Sequence, residues 1–204
     1  MVVLDGAPTG PLRAALEALE ASGRTVQRVL QRGHGFGPRF VAALADAASL
    51  GFQRLAIVGT DIPELTADDL GAALASSALS IGPARDGGFY LLGLDAGQLD
   101  LLDGPLPWQQ PNLSAALIDR AHAVGLEVER LTTREDLDTP DAVRRHLSAV
   151  VRLVRETTGR DLGARVADLR LPRLASVVGR ASQVLQAGAV APRGPPFFPA
   201  FLSA

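Results

Sequence analysis

Residues 82–94 combine the residue types of a substrate loop. Asp86 is followed by Gly87 and Gly88, which let a backbone come close to a ligand, and then by the apolar run 89–94, which is typical of a buried strand. This order predicts a substrate loop at the edge of a sheet. The alternative interpretation is an ordinary tight turn, for which Asp-Gly-Gly is equally suited.

Two further acidic motifs also stand where strands are expected to end. Asp61 follows a short apolar run, and Asp136 and Asp138 follow the strand-like residues 126–131. Side chains alternate along an extended segment, so Asp136 and Asp138 lie on the same side of it. Ligands of open α/β sheets bind beyond the carboxyl ends of the strands. We therefore expect Asp61, Asp86 and at least one of Asp136 and Asp138 to converge at one sheet edge.

The third motif has a second interpretation as the start of a helix. Asp138 or Thr139 would be the N-cap, Pro140 would take the first helical position, and Asp141 would face the positive end of the helix dipole. A helix start and a ligand site are compatible, so both interpretations stay open.

The elements around these motifs alternate along the chain. Strands are predicted at 2–4, 25–30, 54–58, 78–81, 89–94 and 126–131, and helices at 11–21, 39–50, 67–76, 112–123 and 140 to about 155. Such alternation predicts a mainly parallel sheet with helices on both faces.

Four motifs in order carry a resemblance to a known family. They are Gln31-Arg32-Gly33 with Gly37-Pro38-Arg39-Phe40, then Gly59-Thr60-Asp61-Ile62-Pro63, then Gly82-Pro83-Ala84 with Asp86-Gly87-Gly88, and finally Asp136-Leu137-Asp138-Thr139. Over about residues 1–147 the chain resembles a bacterial family of GT-A-type nucleotide-diphospho-sugar transferases, long catalogued as a domain of unknown function. Some members are labelled arsenosugar-biosynthesis glycosyltransferases. The chain is more distantly similar to phospholactate and molybdenum-cofactor guanylyltransferases. The resemblance implies a Rossmann-like GT-A α/β sheet with helices on both faces.

The resemblance also implies a reaction, in which a nucleotide-sugar donor gives its sugar to a small-molecule acceptor. A divalent cation, Mg²⁺ or Mn²⁺, would neutralise the diphosphate. Asp61 is then expected as the first metal ligand and Asp138 as the second, with Asp136 as its alternate. Asp86 would be the catalytic residue, which accepts hydrogen bonds from acceptor hydroxyls or acts as a base.

Five other residues are assigned to nucleotide or sugar binding on the same basis. The backbone N–H groups of Gly87 and Gly88 would reach the donor, and Thr60 would contact the nucleotide or sugar. Arg39 would contact phosphate, or else only pair with an acid on the surface. Trp108 would form an acceptor platform, or else be a packed side chain.

The sequence departs from the family pattern in two places. Family members begin with a strand and a basic loop of the type Lys-x-Pro-x-x-Gly-x-x-Lys-Thr-Arg-Leu, whereas this sequence starts at what resembles the second core strand and has no lysine. Residues 108–110, Trp-Gln-Gln, stand where the family tends to have an aromatic residue or methionine followed by Ser-Thr.

The missing strand and loop would be one wall of the nucleotide pocket, so the sequence predicts an N-terminally truncated, impaired transferase. It also predicts a sheet edge open to self-association. Three alternatives stay open: a guanylyl-type nucleotidyltransferase, a non-catalytic interaction domain, and a chain whose true start lies upstream.

Composition limits the metal sites, the location and the partners that can be expected. The 204 residues contain no cysteine, so disulfides and thiolate metal sites are excluded and a cytoplasmic location is expected. No run approaches the roughly 20 apolar residues that cross a bilayer, so no membrane partner is expected. His34, His122 and His146 have no ligand spacing, and none is assigned to a metal.

The charge distribution predicts the domain boundaries. Residues 1–150 carry 12 Arg and 19 acidic residues, whereas residues 151–204 carry 8 Arg and 3 acidic residues. We expect a transferase domain at 1–150, a helical appendage at 151–190, and a Pro- and Gly-rich disordered tail at 191–204. The aromatic residues of the tail lie beyond its arginines instead of between them, which argues against nucleic acid as a partner.

Overall fold

The computed structural model describes residues 2–4, 10–23, 26–59 and 61–158. Strands and helices alternate along these residues, as the sequence predicts. The strands are β1 (Val2–Leu4), β2 (Arg28–Leu30), β3 (Arg54–Val58), β4 (Leu79–Pro83), β5 (Phe89–Asp95) and β6 (Val128–Arg130). The helices are α1 (Gly10–Ala21), α2 (Phe36–Ser49), α3 (Ala67–Ala75), α4 (Leu113–Ala123), α5 (Pro140–Arg145) and α6 (Leu147–Thr158), with a 3₁₀ helix at Ala96–Leu102.

The strands of the described residues form one sheet of two strands and one of four. β1 and β2 pair in parallel. The larger sheet has the order β3-β5-β4-β6, in which β5 runs antiparallel to both neighbours and β6 runs parallel to β4. The prediction of a mainly parallel sheet is therefore wrong at β5, whereas β3, β4 and β6 run in one direction. Only residues 84–88 join β4 to β5, and because a parallel connection needs about a dozen residues or more, these strands form an antiparallel hairpin.

The centre of the larger sheet is buried almost throughout. Every residue of β4 is buried, and in β3 and β5 only terminal residues are partly exposed. Such continuous apolar strands are typical of a sheet covered on both faces. α2 contributes Phe40, Ala43, Leu44 and Ala47 to this core. Their spacing places them along one stripe of the helix, so the helical period of the sequence determines which face packs.

A partly buried ion pair ties the start of α3 to the residues after β6. Arg134 donates to both carboxylate oxygens of Asp69, at 2.9 and 2.8 Å, and its guanidinium lies over the ring of Tyr90. Thr66 forms a capping box with Asp69 at the start of α3. Burial raises the pKa of the Asp69 carboxyl, but the hydrogen bonds from Thr66 and the charge of Arg134 outweigh it. This pKa therefore lies below its ordinary value.

We expect Asp69→Asn to lower the free energy of unfolding by about 2 kcal/mol at neutral pH, because the variant loses a charge-assisted pair of hydrogen bonds. Since the pKa of Asp69 is depressed in the folded chain, its contribution is complete above the ordinary carboxyl pKa and is lost as pH falls through the folded value. Urea unfolding followed by the fluorescence of Trp108, the single tryptophan, measures this contribution.

Asp68→Asn is the matched control for this prediction, because Asp68 is an exposed carboxylate in the same helical turn. It is expected to cost only about 0.5 kcal/mol through the helix dipole. A stability difference between wild type and Asp69→Asn that does not shrink as pH is lowered toward about 3 would contradict the assigned pKa direction.

The helix predicted from residue 140 to about 155 is interrupted once, at His146, which separates α5 from α6. The start of α5 agrees with the helix-start interpretation. The side chain of Thr139 accepts a hydrogen bond from the N–H of Ala142 at 3.1 Å, and Pro140 takes the first helical position. Thr139, and not Asp138, is therefore the N-cap.

The chain divides into two compact units. The first contains both sheets and, after residue 59, continues over Leu65–Arg134, while the second contains Asp61–Glu64 and the described residues 135–158. Of the predicted appendage at 151–190 only residues 151–158 belong to the described part of the chain, and the predicted tail at 191–204 lies outside it. None of the described helices has both the length and the apolar character to cross a bilayer.

Candidate functional site

The substrate loop predicted around Asp86 is the tight turn between β4 and β5. The N–H of Gly87 donates to the carbonyl of Ala84 at 3.1 Å, and the N–H of Ala84 donates to the carbonyl of Gly88 at 3.0 Å. The carboxylate of Asp86 accepts from the N–H of Gly88 at 2.8 Å. The two amides that were expected to reach a donor therefore bond within the turn, whereas Asp86 itself is exposed to solvent.

The conformation of Gly87 is required by the protein's own backbone. Its φ is +92°, and an added Cβ would lie 1.6 Å from the carbonyl oxygen of Pro111. Ser114, at the start of α4, donates to the carbonyl of Gly87 from both its N–H and its hydroxyl, each at 3.0 Å. Gly87 thus allows the turn to approach the backbone of Pro111 closely. This contact and the hydrogen bonds from Ser114 hold the Asp86 turn against the start of α4.

In the second unit, one hydrogen bond joins the two segments that carry the predicted metal ligands. The N–H of Leu137 donates to the carbonyl of Asp61 at 3.0 Å. Leu137 lies between Asp136 and Asp138, so these two residues flank the point at which the segments meet. Asp61 and Asp136 are half-buried, and Asp138 is exposed.

The junction of the Asp61 and Asp136 segments offers few metal ligands. Among residues 61–158 and the other described ranges, no group of three or more acidic, histidine or cysteine side chains is placed to hold a metal ion. A cation bound by Asp61 and one neighbouring aspartate would take its remaining ligands from phosphate and water. Mg²⁺ is usually bound in this way in nucleotide sites.

A histidine joins the same two segments through their acidic side chains. Nδ1 of His146 lies 3.2 Å from Oε1 of Glu64, and its Nε2 lies 2.9 Å from Oε2 of Glu135. Arg145 donates to both carboxylate oxygens of Glu135, at 3.0 and 2.6 Å, and this hydrogen bonding raises the pKa of the guanidinium. The sequence assigns no role to His146, because its partners lie 82 and 11 residues away and form no local motif.

The predicted roles of Thr60 and Arg39, and the convergence of Asp86 with Asp61, stay predictions. Asp86 belongs to the first unit and Asp61 to the second, so their convergence stays a prediction. Thr60 lies outside the described residues. Arg39 is half-buried in α2 and its guanidinium donates to the side-chain oxygen of Gln31, so the phosphate contact predicted for Arg39 also stays a prediction.

Trp108 is packed into an aromatic cluster. Its ring lies 5.8 Å from that of Phe36 and 5.3 Å from that of Phe40, measured between centroids. An added Cβ at Gly37 would lie 2.3 Å from the indole nitrogen. Trp108 keeps partial exposure, and Gln109 after it has a positive φ of 60°, a rare conformation for a residue other than glycine. Packing and a role as an acceptor platform are therefore compatible.

A cleft of about 690 Å³ lies at the start of β6 in the first unit. Its polar side chains come from Ser76, Ser77, His122, Glu127 and Glu129. None of the predicted site residues lines this cleft, so it is separate from the candidate site.

Comparisons with known proteins agree with the predicted family. A family model described as "Uncharacterized protein conserved in bacteria (DUF2064)" matches residues 2–109. The crystal structure of a proposed nucleotide-diphospho-sugar transferase from Desulfovibrio desulfuricans G20 is similar, with 24% sequence identity and a TM-score of 0.56, over 86% of this chain and 73% of that one. At this identity the similarity shows the fold. No curated protein matches. The chain thus has the α/β fold of a nucleotide-diphospho-sugar transferase, and it belongs to the DUF2064 family.

Proposed function

We propose that this protein transfers a sugar from a nucleotide-diphospho-sugar donor to a small-molecule acceptor, with the help of a divalent cation. The observation that carries the proposal is the hydrogen bond from Leu137 to Asp61, which joins two segments rich in carboxylates. The fold of the chain is similar to that of a proposed transferase of this class, which is why we assign a nucleotide sugar as the donor.

The cation is assigned to Asp61, with Asp138 or Asp136 as the second ligand. These residues fit Mg²⁺ or Mn²⁺, because carboxylate oxygens are hard ligands and a set of two leaves positions for phosphate oxygens and water. The cation, when bound, neutralises the charge that develops on the diphosphate leaving group.

The chemical step needs a base on the acceptor side, and Asp86 is our candidate. The acceptor hydroxyl oxygen forms a bond to the anomeric carbon while the bond from that carbon to the diphosphate oxygen breaks. The proton of the hydroxyl goes to Asp86, and the electron pair of the broken bond leaves with the nucleoside diphosphate. Asp86 suits this role because it is exposed on a turn that Ser114 holds in place.

Two residues of the first unit are assigned to recognition. Arg39 is proposed to contact donor phosphate, because a guanidinium can bind phosphate oxygens through two parallel hydrogen bonds. Trp108 is proposed as a platform for the acceptor, because the aromatic cluster beneath it fixes the ring while part of the side chain stays exposed.

Calorimetry with Mn²⁺ and a panel of nucleoside diphosphates tests the proposal. We expect Mn²⁺ to bind weakly alone and about tenfold more tightly with the matching nucleotide, because phosphate oxygens complete the ligand set. The same panel ranks the bases, and the nucleotide sugars of the best base can then be assayed for hydrolysis and transfer.

The alternatives give different results in this experiment. A guanylyl-type nucleotidyltransferase releases pyrophosphate from GTP when a phosphorylated acceptor is present, and a nucleotide sugar does not replace GTP. A non-catalytic interaction domain shows the same Mn²⁺ affinity with and without every nucleotide. Either result would contradict the proposed function.

A further inference from the structure

The ring of His146 lies between the two segments that carry the predicted metal ligands. Both ring nitrogens lie within hydrogen-bond distance of a carboxylate oxygen, one from Glu64 and one from Glu135. One side chain thus contacts an acidic residue of each segment.

The two glutamates stand next to the proposed metal ligands. Glu64 is three residues after Asp61 in the same turn, and Glu135 directly precedes Asp136. The side chains of His146 and Glu135 are 16% and 12% exposed, so water screens their attraction little. The His146 bridge thus acts in parallel with the main-chain hydrogen bond between the two segments.

We propose that His146 is a positioning residue, which joins the Asp61 segment to the Asp136 segment through Glu64 and Glu135 and so sets the separation of the metal ligands. This inference rests on the proposed function, because it assumes that these aspartates hold the cation. The charged groups described around the ring are Glu64, Glu135 and, through its bond to Glu135, Arg145.

The two contacts of the ring are unequal. The contact to Glu64 is the longer one, and that carboxylate is 46% exposed, whereas Glu135 is also held by Arg145. The contact to Glu64 is therefore the weaker of the two.

The amide of Leu137 reports on this link without any ligand, because it donates across the junction to Asp61. We expect His146→Gln to lower the hydrogen-exchange protection of this amide, measured by NMR, on the order of tenfold, which is the effect of losing a charged hydrogen bond. The amide of Val143, which bonds to Thr139 within α5, should keep its protection. The matched control is His122→Gln, which changes an exposed histidine of the first unit.

Two further readouts separate positioning from a merely structural role. The protection of Leu137 should also fall in Glu64→Ala, which leaves the ring in place and removes its partner on the Asp61 segment, and this half-exposed site gives a second variant should the first fail to fold. Mn²⁺ affinity with a nucleotide sugar should fall in His146→Gln about as much as the protection of Leu137.

The other possible results would contradict either this proposal or the proposed function. Unchanged protection of Leu137 in His146→Gln overturns the proposal, and so does lowered protection with unchanged Mn²⁺ affinity. If wild type and Asp61→Ala bind Mn²⁺ equally, the proposed function fails, and the protection of Leu137 alone then decides whether His146 links the segments.

Discussion

Replacing Asp61 by asparagine is expected to weaken Mn²⁺ binding, measured with a bound nucleotide sugar, by at least about 100-fold. Residues that only support metal ligands already lower affinity about 10- to 100-fold when they are changed, and asparagine lacks the negative charge that a hard cation prefers. The carbonyl of Asp61 that accepts from Leu137 is retained in the variant. Calorimetric titration with Mn²⁺ measures the loss.

The matched control is Asp100→Asn, an exposed aspartate of the 3₁₀ helix in the first unit. It removes the same charge from the chain and should leave the Mn²⁺ affinity unchanged. Asp136→Asn and Asp138→Asn, measured in parallel, identify the second ligand. If Asp61→Asn binds Mn²⁺ with wild-type affinity, Asp61 is not a metal ligand. If Asp61→Asn and Asp100→Asn lose affinity equally, the loss is due to the change in net charge.

Gly87→Ala is expected to lower the free energy of unfolding by about 4 kcal/mol. A φ of +92° costs any L-residue about 1–2 kcal/mol, and the new methyl group would overlap the carbonyl oxygen of Pro111 unless the backbone moves. Such a movement strains the packing by about 1–3 kcal/mol and weakens the two hydrogen bonds from Ser114. Urea unfolding followed by Trp108 fluorescence measures the change.

Gly51→Ala separates the two causes. Gly51 has the same φ of +92°, but an added Cβ there would meet nothing within 4 Å, so only the conformational cost of about 1–2 kcal/mol is expected. The difference between the two variants isolates the contact with Pro111. Equal losses would mean that the Asp86 turn adapts freely, and its assignment as a rigidly held catalytic turn would then lose its structural basis.

The sequence locates the buried strands β3 and β5 better than the three-residue strands β2 and β6. β3 begins and ends at the predicted residues and β5 begins as predicted, because a continuous apolar run with polar ends leaves little freedom. β2 and β6 are shorter than their predicted runs. β6 pairs only with three residues of β4, Leu79 to Ile81, and β2 only with the three residues of β1. The length of such a strand depends on a partner that is distant in sequence.

The direction of β5 could be predicted from the sequence, although not from the alternation of strands and helices. The five residues between Pro83 and Phe89 are too few for a crossover. Helix α3 lies before β4, and no helix lies between β4 and β5. The absence of a helix between two consecutive strands is the local sign of a hairpin.

The candidate site shows the same limit. The Asp86 turn and the cap at Thr139 follow from local chemistry, and the structure places both as turn and cap rules require. The contact of Gly87 with Pro111 and the bridge of His146 to Glu64 join residues far apart in the chain. No spacing rule encodes contacts of this kind, because they depend on how completed elements pack.

The short connection between β4 and β5 also bears on the order in which the chain folds. These strands are neighbours in sequence, whereas β3 meets β5 through pairs such as Val58 with Leu91, which are 91 − 58 = 33 residues apart. Closing the shorter loop costs less chain entropy, so the hairpin is the natural nucleus of the larger sheet, to which β3 and β6 add at opposite edges. We therefore expect the Asp86 turn to form early in folding, and damage to it to slow folding more than it speeds unfolding.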